Sequence, residues 1–99
     1  MRIRFLTPAR RDLEDAVLYY GAQRSKLGGD FVREVRSTIK RIAEFPEAWH
    51  SLSGSIRRCQ MNRFPYGIIY TATGNNILII AVAHLHREPD HWRLRFDES

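Results

Sequence analysis

Residues 77–83 read Ile-Leu-Ile-Ile-Ala-Val-Ala, seven positions without one polar side chain. An apolar run of this length, rich in β-branched residues, fits a strand. Its lack of alternation predicts a central strand buried on both faces. Thr73-Gly74-Asn75-Asn76, just before it, carries the residues of a tight hairpin turn and joins it to a strand containing Ile68, Ile69 and Tyr70. Ile56 to Met61 predicts a further, weakly patterned strand with polar residues in its middle. Pro89, downstream, would stop the central strand from continuing.

The first half has a different period. Ile3 to Leu6 reads as a short opening strand, with Ile3 and Phe5 on one face and Arg2 and Arg4 on the other. Thr7 and Pro8 predict a helix start, Thr7 as N-cap and Pro8 at the first helical position. Leu13, Ala16, Val17 and Tyr20 then form one apolar stripe, with Arg10–Glu14 and Arg11–Asp15 spaced as i,i+4 pairs on the outer side. The bend falls between Gly21 and Gly29, and both Ser25 and Asp30 are good caps for a second helix. Phe31, Val35, Ile39, Ile42 and Ala43 mark the buried side of that helix, and Phe45-Pro46 ends it. The fold class predicted is α+β in the order β-α-α-β-β-β. An N-terminal strand and an antiparallel helical hairpin precede a three-stranded antiparallel meander.

Ninety-nine residues suit a single domain over 1–99. With 43% apolar and 11% aromatic residues the chain is not a disordered tail. No apolar run reaches the roughly 20 residues of a membrane span. Met1-Arg2-Ile3-Arg4-Phe5 lacks the apolar core of a signal peptide, and Cys59 is the only cysteine. The expected location is the cytoplasm. The net charge is +5, and the acids are unevenly placed: Ala48 to Arg87 contains no Asp or Glu but holds Arg57, Arg58, Arg63 and Arg87 with three histidines. A positive surface is expected wherever these side chains emerge, facing nucleic acid or an acidic protein. A bare nucleic-acid-binding module fits less well, because the charge is split +3 and +2 between residues 1–50 and 51–99.

Four segments carry a resemblance to the RelE/ParE superfamily of bacterial toxins from type II toxin–antitoxin modules. They are LEDAVLYY in the first helix, IAEFPE closing the second, RFPYGIIY entering a strand and AVAHLHREPDHW leaving the last one. The match spans about Ile3 to Arg95 and is closest to the ParE branch. The resemblance implies a RelE/ParE-like fold, no cofactor, and a cognate ParD-like antitoxin that lays an extended or helical acidic segment on the toxin. A homodimer or a toxin–antitoxin hetero-oligomer would be consistent with it. ParE-like members poison DNA gyrase by binding, and RelE-like members cut mRNA on the ribosome. The nuclease branch places lysines on the second strand of the sheet, where this chain offers Arg58 and Gln60. It places an arginine after the tyrosine that opens the third strand, where this chain has Gly67. It uses a tyrosine near the C-terminus, where this chain has Trp92, whose indole N–H is no general acid or base near neutral pH. Gly67 also departs from the arginine common in ParE-like chains.

Three readings compete for His84-Leu85-His86-Arg87-Glu88-Pro89-Asp90-His91-Trp92. A metal site would use His84 and His86 on one face of an extended segment, with His50, Glu88, Asp90 or His91 as a third ligand. An acid–base centre would pair His86 or His91 with Glu88. A contact surface needs the fewest assumptions, with His84, His86, Arg87, His91 and Arg93 as cations and donors beside Trp92. Arg57, Arg58 and Arg63 would extend it if their strand lies adjacent. Trp92 reads equally well as a lid over the sheet edge. Phe64, Tyr66, Tyr19 and Tyr20 read as core and turn residues. The contact reading is the one carried forward, with no catalytic residue and no metal. On it, replacing both Arg87 and Trp92 with Ala should abolish toxicity and leave the domain folded.

Overall fold

The computed structural model describes residues 1–87 and 91–97. Glu88, Pro89 and Asp90, assigned above as acid, strand stop and ligand, lie outside the described residues. The elements run β1 (Arg2–Phe5), α1 (Thr7–Gln23), α2 (Ser25–Glu44), β2 (His50–Ser53), β3 (Ile56–Gln60), β4 (Tyr66–Thr73), β5 (Asn76–His84) and α3 (Arg93–Asp97). The five strands form one sheet in the order β1-β5-β4-β3-β2. β1 runs parallel to β5, and every other pair is antiparallel. The α+β class and the helical hairpin are as expected. The meander has a fourth strand, β2, and the sheet contains one parallel pair.

β5 is interior, with β1 on one side and β4 on the other, and Ile77, Ile79, Ile80, Ala81 and Val82 are all buried. Ile79 pairs with Tyr70 and Ala81 with Ile69, so Ile80 is an extra residue in the ladder. A bulge of this kind shifts the alternation by one. Ile77, Ile79 and Val82 consequently join Phe31, Val35, Ile42 and Tyr70 in the core under the helices. Ile80 and Ala81 instead face the opposite side of the sheet, against Ile69 and Trp92. The two-faced burial predicted from the sequence is thus met by two separate apolar clusters.

The helix start differs by one residue from the sequence prediction. Leu6, not Thr7, occupies the N-cap, with no side-chain cap, and Pro8 lies in the first turn. The cause is tertiary: Leu6 N–H donates to Ile79 O at 2.9 Å, prolonging the β1–β5 ladder, while Leu6 O accepts the first helical bond from Arg10 N–H at 3.0 Å. Leu6 is therefore both the end of a strand and the start of a helix. Arg24 alone links α1 to α2, ending one and capping the other in an extended conformation. Gly28 and Gly29, expected in the bend, lie inside α2. A Cβ on Gly28 would meet Val17 O at 3.2 Å and Gly21 Cα at 3.4 Å, so glycine here lets the two helices touch. Asp30 is not a cap either. It is buried, paired with Arg33 and 3.6 Å from Arg63 Nη2. Neither Arg10–Glu14 nor Arg11–Asp15 closes to an ion pair among the described residues; Arg10 lies 6.0 Å above the Phe5 ring instead.

Candidate contact surface at the end of β5

β1 stops at Phe5, opposite Ile79, so among the described residues the remainder of β5 lacks a strand on that side. Unpaired backbone groups of a buried strand need partners, and two side chains supply them. Asp12 Oδ2, from α1, accepts the Val82 N–H at 3.0 Å. Arg95 Nη1, from α3, donates to Ile80 O at 3.0 Å. The two side chains then pair in forked geometry, Nη1–Oδ2 at 2.5 Å and Nη2–Oδ1 at 2.8 Å. This cluster fixes α1, β5 and α3 together at one point. Neither Asp12 nor Arg95 was singled out from the sequence. They stand 83 positions apart, and Asp12 sits in a charged stretch that reads locally as a solvated helix face.

Above the pair lies a depression of about 280 Å³, lined by the exposed Arg87 and His91, the half-buried His84, and the buried Trp92 and Arg95. A second, of about 440 Å³, adjoins it through Asp12 and Arg87 and reaches Asp15, Tyr19 and Tyr66. Arg87 is exposed and has no carboxylate within 4 Å among the described residues. His84 stands 5.1 Å from the Tyr66 ring and 5.8 Å from His86, centroid to centroid. Tyr66 in turn packs on Phe31 and Tyr20. That aromatic block, read from the sequence as core, forms the wall against which the histidines rest.

The protonation states follow from these surroundings. His84 Nδ1 accepts the His86 backbone N–H at 3.1 Å, so its proton in the neutral form is on Nε2. Burial, with Arg87 and His86 nearby, lowers its affinity for a second proton. Burial raises the Tyr20 and Tyr66 hydroxyls, more than Arg87 lowers them. At neutral pH the surface therefore presents an arginine, a neutral imidazole and protonated phenols. Among the described residues, the carboxylate at its base, Asp12, is engaged by Arg95 and Val82, while Asp15 lines the adjoining depression. A folded-state value below that of the unfolded chain means His84 contributes stability above about pH 6.5, lost as pH falls through that value toward the lower folded one. An NMR titration is expected to place the His84 midpoint below 6.5; a midpoint at or above that value contradicts the assignment.

The other expected site residues are dispersed. β5 ends at His84, and Leu85 and His86 form a turn, so the extended face that would align two histidines for a metal does not exist. Among the described residues no three His, Cys, Asp or Glu side chains converge to hold a metal ion. Trp92 is 3% exposed and covers Ile69, Ile80 and Ala81, which makes it a lid and not a surface platform. Arg93 lies 4.6 Å over its ring. Arg57 points to the helix side, where Nη1 donates to Trp49 O at 2.8 Å. Arg63 lies over Phe64 at 5.7 Å, near Asp30 on α2. Arg58 faces the other side of the sheet, and its stem crosses Gly67: a Cβ there would lie 2.9 Å from Arg58 Cγ and Cδ. The residue that departs from the family pattern is thus the one over which a neighbouring arginine is laid.

A helical hairpin on one face of a five-stranded sheet, with a cation-bearing end and an indole lid over part of the second face, makes a small α+β fold. The family model described as "ParE toxin of type II toxin-antitoxin system, parDE" matches residues 3–89, and the chain belongs to this family. Among solved structures it is similar to a chain of the "Chromosomal ParDE TA system from P. aeruginosa", with a TM-score of 0.63 and 14% identity over 87% of this chain and 97% of that one. A search of curated proteins gives no significant match. No helix among the described residues is long and apolar enough to cross a membrane.

Proposed function

We propose that this chain inhibits DNA gyrase by binding, acts in the cytoplasm as one domain, and is neutralised by a ParD-like antitoxin. The observation that carries the proposal is the composition of the surface at the end of β5. It gathers His84, His86 and Arg87 around a fixed wall, and the carboxylate at its base, Asp12, is locked in its pair with Arg95. Cations and donors set beside fixed aromatic rings suit docking. The two depressions beside the uncovered length of β5 would receive the antitoxin, whose acidic side chains would meet Arg87. The purified chain is expected to inhibit supercoiling by gyrase, and Arg87→Gln to weaken that inhibition at least about tenfold, the equivalent of ~1.4 kcal/mol of contact. Full inhibition by the variant would move the contact surface elsewhere.

One observation favours a second reading. His84 is a neutral imidazole 5.1 Å from a protonated Tyr66, a pair with the chemical types of a base and an acid. The alternative is a RelE-like, ribosome-dependent mRNA endoribonuclease. Cleavage of ribosome-bound mRNA that His84→Ala abolishes, with supercoiling unaffected by the wild-type chain, would establish it.

A further inference from the structure

The sheet has a second face that the helical hairpin does not cover. Pairing fixes which side chains lie there: Arg2 stands beside Asn76 and Arg4 beside Leu78, while Thr73 and Thr71 flank the same two residues on the other side. Ile3 and Phe5 alternate to the hairpin side. Arg2, Arg4, Thr71, Thr73, Asn76 and Leu78 together line a shallow depression of about 370 Å³. Thr71 Oγ1 is held by Ser55 Oγ at 3.1 Å. Arg58, one strand further across, shares this face. The site lies at the opposite end of β5 from His84, eight residues and therefore roughly 26 Å away.

The polar groups here are two guanidiniums, two hydroxyls and an amide, with no acid among them. Arg2 and Arg4 are exposed, and neither has a carboxylate within 4 Å among the described residues. Two like charges on adjacent same-face positions of one strand, with no carboxylate against them among the described residues, leave this corner of the sheet positive.

We propose that Arg2, Arg4, Thr71, Thr73 and Asn76 form a second binding site, which takes the phosphodiester backbone of duplex DNA. Forked guanidiniums, hydroxyls and an amide are the groups that contact phosphate and sugar oxygens. No aromatic lines the depression to stack an unpaired base, which separates it from single-strand platforms. The choice of DNA rests on the gyrase reading above: a toxin that docks on gyrase meets the duplex that gyrase holds, and a second contact to that duplex raises its effective concentration there.

The test is binding of the purified full chain to a mixed-sequence duplex of about 20 base pairs, followed by fluorescence anisotropy between about 50 and 200 mM salt. No gyrase is present, so the result is independent of whether gyrase is the target. Binding should weaken steeply with salt. In the double variant Arg2→Gln, Arg4→Gln the log–log slope should fall by about 2, one unit for each lost phosphate contact. Affinity at low salt should drop at least about tenfold, with the unfolding midpoint unchanged. An unchanged slope in the variant overturns the site. Equal or tighter binding to a single strand, to duplex RNA or to an acidic peptide overturns the assignment to duplex DNA.

Discussion

Asp12→Ala should lower the stability of the fold by about 3 kcal/mol or more, the range for breaking a buried pair on one side only. Two losses combine. Val82 N–H loses its acceptor on the edge of β5 that β1 does not reach. Among the described residues Arg95, its side chain 9% exposed, then keeps Ile80 O alone and holds an uncompensated charge. Urea unfolding measures the effect directly, and a loss under about 1 kcal/mol would mean the pair is replaced by water. The double variant Asp12→Ala, Arg95→Met should recover part of the loss, because it removes the stranded charge and leaves an apolar stem over the sheet. The two single effects are therefore not additive, and that shortfall is the signature of the pair.

Trp92→Ala should cost a similar amount, about 3 kcal/mol, as large aromatic truncations in a core do. The indole covers Ile69, Ile80 and Ala81, and without it the bulged part of β5 faces water on one side. Trp92→Phe should cost distinctly less, since a ring still covers the cluster. Thermal unfolding of the two variants separates this from a surface role, for which both changes would leave the midpoint in place. The consequence for function is practical. An Arg87, Trp92 double replacement cannot be expected to stay folded, so a loss of toxicity in it would not locate the contact surface. Arg87→Gln alone is the informative change.

The interior strand and its hairpin turn were plain in the sequence because both are local signals: an unbroken apolar run, and glycine at the positive-φ position, Gly74 at +58°. β2 was not, since His50-Ser51-Leu52-Ser53 has one apolar residue in four and forms only by edge pairing with β3. The cap at Leu6 depends on a bond to Ile79, and the glycines in α2 serve helix–helix contact; in both cases tertiary contacts overrode local preference. For the site, the charge bias and the histidine cluster were legible, but their grouping was not. Arg57 and Arg58 are neighbours in sequence and point to opposite faces, a consequence of strand alternation that removes Arg57 from the surface. Asp12 and Arg95 only acquire their role once β1 is seen to end short of β5.

The most direct test of the central claim is the order in which macromolecular synthesis fails after induction of this chain without antitoxin. Thymidine and methionine incorporation, followed in parallel over the first minutes, report DNA and protein synthesis separately. Inhibition of gyrase by binding predicts that thymidine incorporation falls first, and that Arg87→Gln delays or removes the fall. A fall in methionine incorporation ahead of thymidine would contradict the account and make the surface around His84 that of an mRNA-cutting enzyme.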